Sequence, residues 1–152
     1  MPTSDLPVDI RLMGEPDTEV VVAAGELFDN PPTVEWLSAF LAASNHSLLI
    51  AATAAGRPVG FISGMELLHP DKGREMLLYE LGVADDVRRR GIGRALVAAL
   101  RERARARGCT GMWVLTEPDD EPPVRTYLSA GGAAEPVGAM IVWSFDEAPG
   151  GS

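Results

Sequence analysis

A single carboxylate interrupts one of the most apolar stretches of the chain. Residues 76–83 read Met-Leu-Leu-Tyr-Glu-Leu-Gly-Val, which is typical of a strand buried in the centre of a sheet. An unpaired carboxylate is costly there, so Glu80 either meets a cation or serves a reactive site. Partial burial would raise its pKa toward the range of a general base. The alternative is an ion pair with Arg74 or Arg125, and strict alternation would place Glu80 on the same face as Leu78.

Two glycines and four arginines mark a second segment with chemistry of its own. Gly91 and Gly93 stand where the strand gives way to a helical pattern, and the arginines around them are Arg88, Arg89, Arg90 and Arg94. A helix N-terminus presents free N–H groups and the positive end of its dipole, and glycine lets a phosphate approach them. The spacing fits neither G-x-G-x-x-G nor the Walker A pattern. The segment predicts a pyrophosphate site; the alternative is a solvated basic helix.

Charge is divided unequally along the 152-residue chain, whose formal net charge is −9. Residues 88–107 hold eight of the 13 basic residues and one acid, whereas the remainder holds five basic and 21 acidic residues. This division predicts two partners of opposite sign, a polyphosphate at the basic segment and a cation at the acidic part. The later arginines alternate along their helix instead of forming one stripe, which disfavours nucleic-acid binding.

Three further classes of protein are disfavoured by the composition. No apolar stretch approaches the roughly 18 residues that a membrane helix needs, and the start of the chain lacks the layout of a signal peptide. Cys109 is the single cysteine, so it cannot form an internal disulfide, and we expect a cytoplasmic protein. His46 and His69 lack the spacing of metal ligands, so no metal site is expected.

The elements that must position these residues alternate between strands and helices. Apolar periodicity predicts strands over 8–13, 47–53, 58–67, 76–83, 111–116 and 139–145. Helices are predicted over 17–28, after Thr33, after Gly91-Ile92-Gly93 as far as Arg107, and from Pro122 or Pro123. This order predicts one domain over residues 1–152, of α/β or mixed α+β class, with three layers. The termini, 1–6 and 146–152, are expected to be flexible.

The arginine and glycine segment resembles the signature of a known family. Arg88-x-x-Gly91-x-Gly93 matches the [QR]-x-x-G-x-[GA] acetyl-CoA signature of the GNAT N-acetyltransferase superfamily, and it lies, as there, between the fourth strand and the third helix. Tyr127 matches the later tyrosine of that superfamily, near a helix that ends in glycine. The order of elements agrees over almost the whole chain. The resemblance implies a GNAT-type acyl-CoA N-acyltransferase fold, a central mixed sheet flanked by helices, with acetyl-CoA as cofactor.

The same resemblance implies roles for particular residues. The fourth strand would splay at a bulge, where backbone amides bind the pantetheine arm and polarise the thioester oxygen, at Leu81, Gly82 and Val83. The segment from Arg88 to Arg94, with Ile92 inside it, would take the pyrophosphate. Glu80 would be the general base, and Tyr127 would reprotonate the departing thiolate. A core tyrosine on a short helix is the alternative for Tyr127.

A closer resemblance is to the aminoglycoside 3-N-acetyltransferase (gentamicin acetyltransferase) family. That family has an aromatic residue and an acid in its fourth strand, as in Tyr79 and Glu80, and an acidic run before the tyrosine helix. Glu80 stands where that family has aspartate, a difference that bears on substrate preference and not on the reaction. The implied partner is a polycationic aminoglycoside, held by Asp29, Tyr79 and Glu80 and by the acidic run, Glu117, Asp119, Asp120 and Glu121.

Two other functions stay open on the sequence alone. The first is acetyl transfer to another amine, of a polyamine, a small molecule or a protein. The second is a non-catalytic sensor that binds acyl-CoA, against which the presence of both Glu80 and Tyr127 argues. A homodimer is common in the superfamily, and the apolar stretch predicted as the last strand is compatible with one.

Overall fold

Five strands form the central sheet of the protein. The structure, a computed structural model, describes residues 4–136 and 138–145. The strands lie side by side in chain order, as β1 Asp9–Leu12, β2 His46–Ala52, β3 Pro58–His69, β4 Gly73–Val83 and β5 Met112–Trp113. β1 to β4 are antiparallel neighbours, whereas β5 is parallel to β4. The mixed class predicted from the sequence is confirmed.

Helices cover both faces of this sheet. They are α1 Thr18–Ala23, α2 Val34–Ala42, α3 Ile92–Ala106 and α4 Glu121–Ser129. Leu96 and Leu100 of α3, one helical turn apart, pack with Ile62 in one buried cluster. Phe61, the neighbour of Ile62, belongs instead to the cluster formed with α1 and α2. Successive strand residues point to opposite faces, so the sheet is held between two apolar layers.

A one-residue bulge in β4 decides which face Glu80 occupies. Glu80 lies opposite Ser63 and Leu78 lies opposite Gly64, so Tyr79 is the extra residue of β4. Strict alternation predicted Glu80 on the face of Leu78, and this prediction is wrong, because a bulge shifts the alternation by one residue. Leu78 stays buried against α3, whereas Glu80 opens toward the α1 side. The bulge expected at residues 81–83 is therefore found at Tyr79, two residues earlier.

Local signals at the helix ends are largely confirmed. The Thr33 hydroxyl accepts the N–H of Trp36 at 3.1 Å and begins α2, as a threonine N-cap does. α3 and α4 lie where their patterns predicted them. The helix predicted over 17–28 is instead a short α1 between two 3-10 turns, Glu15–Asp17 and Gly25–Leu27. Gly25 has low helix propensity, so α1 ends just before it.

The last predicted strand is not formed in the described part of the chain. Residues 139–145 have no strand hydrogen bonds, and their large apolar side chains are exposed. The predicted strand 111–116 shrinks to the two residues of β5, which leaves little edge for another strand to pair with. Of the termini expected to be flexible, residues 4–6 lie against the start of α3; residues 1–3 and 146–152, like Val137, lie outside the described residues. No described helix is long and apolar enough to cross a membrane.

Candidate active site

An open cleft lies beside the second half of β4, on the face that carries α1. Its volume is about 500 Å³. Four carboxylates line it, from Glu26, Asp29, Glu80 and Asp85, and we call it the acidic cleft. Of the predicted site residues, the cleft brings together Asp29, Tyr79, Glu80, Leu81, Gly82, Val83 and Arg88.

Close packing at Gly82 brings the segment that carries Glu26 and Asp29, which follows α1, against β4. A Cβ atom at Gly82 would lie 2.6 Å from Cε1 of Phe61 and 2.8 Å from the carbonyl oxygen of Leu27. Phe28 stacks on Phe61 with ring centroids 4.1 Å apart. Since Asp29 follows Phe28 directly, the stacking carries its carboxylate to the rim of the cleft. The absence of a side chain at Gly82 is thus what allows Asp29 to approach Glu80.

Glu80 has the electrostatic setting of a general base. Its side chain is exposed to the cleft, yet loss of hydration raises its pKa above the ordinary value, and the negative charge of Asp29 raises the pKa further. The predicted alternative, an ion pair with an arginine, is wrong: Arg74 binds Glu66 at 2.6 Å and Arg125 binds Glu121 at 3.3 Å. A carboxylate with a raised pKa and an open face can accept a proton from a bound ammonium group.

The segment 88–94, which we call the arginine turn, has the geometry of a phosphate site. Gly91 precedes α3 in the left-handed region, with φ of 79°, and none of the described side chains caps the helix at this position. A Cβ atom at Gly93 would lie 3.1 Å from Cγ2 of Thr126, so a larger residue there would push on α4. A helix start without a side-chain cap can bind an anion through its first N–H groups. These features fit the diphosphate of acetyl-CoA.

Partners from the same chain already hold three of the arginines in this turn. Arg88 pairs with Asp85 at 2.9 Å. Arg94 pairs with Asp5 at 2.8 Å, and Arg90 donates to the carbonyl of Ser4 at 3.2 Å. Arg89 adopts a left-handed conformation with φ of 63°, which is uncommon for a residue with a side chain. The sequence indicated the positive charge of the turn but not these partners.

The edge of β4 next to β5 opens after a short paired stretch. Among the described residues, β5 pairs with β4 only at Met76 and Leu77. Beyond Leu77, β4 continues to Val83 with no described strand on that side, so alternate N–H and C=O groups of its edge are open to a ligand. Residues 81–83, predicted to bind the pantetheine arm, lie on this open edge.

Tyr127 lies in a different cavity from Glu80. This second cavity has a volume of about 320 Å³ and lies between β4, β5, α3 and α4, where Leu78, Met112 and Tyr127 contribute to its wall. Burial raises the pKa of the Tyr127 phenol above its ordinary value, so the phenol keeps its proton at neutral pH. The structure does not bring Tyr127 and Glu80 into one cleft; the strand β4 separates them.

The predicted acidic run stands away from both cavities. Glu117, Asp119, Asp120 and Glu121 are exposed and line neither one. Two acids that sequence reasoning missed, Glu26 and Asp85, do line the acidic cleft. The sequence gives one indication that Glu26 belongs to the site, namely its position three residues before Asp29. Among the residues that the structure describes, no group of three His, Cys, Asp or Glu side chains could hold a metal ion.

Comparison with known proteins relates the chain to one family of enzymes. Residues 16–131 match the model of the acetyltransferase (GNAT) family. The chain is 30% identical over 127 residues to acetyltransferase SG1711 of Sodalis glossinidius, a match that covers 79% of this chain and 83% of that protein.

Two solved structures illustrate the shared fold. An aminoglycoside acetyltransferase from an uncultured soil metagenomic sample, in complex with sisomicin, has a TM-score of 0.82 at 20% identity, covering 91% of this chain and 97% of that one. AAC(6')-Iy, bound to the bisubstrate analogue CoA-S-monomethyl-acetylneamine, has a TM-score of 0.73 at 23% identity, with the same two coverages, 91% and 97%. The chain belongs to the GNAT family of acetyltransferases, enzymes whose acetyl donor is acetyl-CoA.

Proposed function

We propose that this acetyltransferase acts on an amine of an aminoglycoside, at the 3-N position, by direct transfer without a covalent enzyme intermediate. The observation that carries the proposal is the acidic cleft, where Glu80, with a raised pKa, stands among three further carboxylates. Aminoglycosides bear several ammonium groups, so one can give its proton to the base while others bind the remaining acids. Sisomicin and the bisubstrate analogue, which the two similar structures bind, are compatible with such an acceptor.

Each step can be assigned to groups of this chain. The Glu80 carboxylate accepts a proton from the ammonium group of the acceptor and so frees its lone pair. Acetyl-CoA supplies an acetyl thioester, whose carbonyl carbon the amine attacks. Backbone N–H groups on the open edge of β4, within residues 81–83, donate to the thioester oxygen, and the arginine turn holds the diphosphate. The phenol of Tyr127 gives a proton to the sulfur that leaves, and solvent carries the second proton, which the nitrogen loses as the amide forms, back to the phenolate.

Tyr127 and Glu80 lie on opposite sides of β4, which is compatible with separate roles as acid and base. The base must face the acceptor, whereas the acid must face the sulfur. A pantetheine arm that enters beside the open edge of β4 would run along the boundary between the two cavities. We therefore retain Tyr127 as the proposed acid. We also retain the exposed acidic run 117–121 as a proposed outer contact for the polycation, since charges act over about 8 Å at physiological salt.

A different acceptor position is the second candidate. AAC(6')-Iy shares the fold and is named for the 6'-amine, so transfer to a 6'-amine is the alternative to 3-N. Both amines belong to the same class of substrate, and the acidic cleft suits either. The position of the acetyl group in the product separates the two.

The test is an acetyl-CoA-coupled panel of acceptors. Gentamicin, sisomicin and neamine should release thiol, whereas spermidine should be turned over more slowly, and NMR of the product locates the acetyl group. Turnover of spermidine alone would show that the acceptor is a polyamine and not an aminoglycoside. Absence of thiol release with every amine would favour a non-catalytic sensor. An acetyl group at the 6'-amine would replace the 3-N assignment.

Glu80→Gln removes the proposed base with little change in shape. We expect kcat to fall by roughly 10²-fold or more, which is typical for general-base catalysis, with a much smaller change in the Kd of coenzyme A. The matched control is Glu102→Gln, which removes an exposed carboxylate that pairs with Arg105 on α3. Equal turnover in the two variants would remove Glu80 from the role of base.

A further inference from the structure

The segment before β1 lies across the arginine turn and makes three contacts with it. Oδ2 of Asp5 accepts from Nη2 of Arg94 at 2.8 Å. The carbonyl oxygen of Ser4 accepts from Nε of Arg90 at 3.2 Å. The N–H of Leu6 donates to the carbonyl oxygen of Arg90 at 2.9 Å. Residues 4–6, which we call the N-terminal strap, are thus held by both side chains and backbone.

Asp5 brings its carboxylate to the point of the turn where a side chain is missing. A Cβ atom at Gly91 would lie 2.7 Å from Oδ1 of Asp5. Gly91 is the residue directly before α3, where the helix dipole and the free N–H groups attract an anion. The Asp5 side chain remains 68% exposed, so a ligand from solvent can reach and replace it. The Asp5 carboxylate therefore occupies a position that suits a phosphate, and it pairs with a cation, Arg94, that could bind a phosphate.

We propose that Asp5 is an internal competitor for a phosphate group of acetyl-CoA, and that the cofactor displaces the N-terminal strap when it binds. A carboxylate and a phosphate cannot both hold Arg94 and the start of α3 without mutual repulsion. Because the cofactor must first break the exposed ion pair between Asp5 and Arg94, its binding is weakened by roughly two- to fivefold. The strap thereby lowers the affinity for the cofactor and makes it depend on ionic strength.

Asp5→Asn keeps the size of the side chain and removes its charge. We expect the Kd of coenzyme A, measured by isothermal titration at low salt, to fall by roughly two- to fivefold. Asp9→Asn is the matched control, because it removes an exposed carboxylate four residues later that makes no ion pair within the described part of the chain. The difference between the variants should shrink at high salt. Weaker binding in Asp5→Asn, or equal binding in both variants, would overturn the proposal.

Two further measurements sharpen this result. If the gain in affinity of Asp5→Asn persists with 3'-dephospho-CoA, Asp5 competes with the diphosphate. If the gain disappears, Asp5 competes with the 3'-phosphate. Both results support displacement. In the unaltered protein, coenzyme A should accelerate hydrogen exchange at the Leu6 amide, because its bond to Arg90 opens. Slower exchange there would show that the strap stays in place and would refute displacement, whatever the variants do. None of these measurements requires an acceptor, so they stand apart from the test of the aminoglycoside.

Discussion

Gly82→Ala tests whether close packing against β4 positions the acidic cleft. The new Cβ would stand 2.6 Å from Cε1 of Phe61 and 2.8 Å from the Leu27 carbonyl oxygen, whereas nonbonded carbon atoms pack at roughly 3.5–4.0 Å. The Leu27 oxygen belongs to the backbone, so the turn Gly25–Leu27 must move to relieve the overlap. Overpacking of this kind costs about 1–3 kcal/mol.

A smaller opposing effect comes from the unfolded chain. Gly82 does not have a left-handed φ, so alanine can adopt its backbone conformation and recovers about 0.4–1 kcal/mol by restricting the unfolded state. We expect a net loss of about 1–2 kcal/mol in the free energy of unfolding, measured by urea denaturation. The melting temperature should fall by roughly 2–4 °C per kcal/mol for a chain of this size.

The displaced turn should also change acceptor binding. Since Glu26 and Asp29 flank Leu27 and Phe28, a shift of the turn carries both carboxylates away from Glu80, and the KM of the acceptor should rise. Gly111→Ala is the matched control, because its Cβ would meet nothing within 4 Å. If Gly82→Ala retains the stability and acceptor KM of the unaltered protein, or if Gly111→Ala is equally impaired, close packing at Gly82 does not position the acidic cleft.

Two other predictions concern ionisable groups. Activity should fall as pH drops through the pKa of Glu80, because only the carboxylate accepts a proton. Asp29→Asn removes a charge that raises this pKa, so the acid limb of the kcat/KM profile should move to lower pH, and an unmoved or alkaline-shifted limb would contradict the coupling. Glu66 is buried and binds Arg74 at 2.6 Å and Arg107 at 3.1 Å, so Glu66→Gln should cost about 3 kcal/mol of stability in urea unfolding. Its activity per folded molecule should be unchanged, since Glu66 does not line the acidic cleft; a loss below 1 kcal/mol would show that the ion pairs contribute little.

Features that depend on residues close together in the sequence could be predicted from the sequence. The arginine turn is an example, because the left-handed Gly91 and the start of α3 follow from a few consecutive residues. The cap of α2 at Thr33 is another. The predicted strand 139–145 is the counterexample: a nearly continuous run of apolar residues is compatible with a strand, but a strand also needs a partner edge, and a two-residue β5 offers very little.

Several members of the site could not be read from the sequence. Glu26 and Asp85 reach the acidic cleft through the packing of separate elements, whereas the acidic run 117–121, more conspicuous in the sequence, lines neither cavity. Asp5 lies 89 residues from its partner Arg94. Sequence distance carries no information about such encounters, which arise when the apolar faces of the helices are buried.

The order of β1 to β5 and of the helices among them, the arginine turn at the start of α3 and the presence of a carboxylate in β4 were determined by the sequence alone, because each is encoded by side-chain chemistry within one or two helical turns or one strand. Only the tertiary structure decided where that carboxylate points. The extra residue at Tyr79 reverses the alternation of β4, and the missing side chain at Gly82 admits the segment that brings Asp29 beside Glu80. Both effects depend on contacts between distant segments, and a shift of a single residue in the register of the sheet would turn Glu80 toward the opposite face.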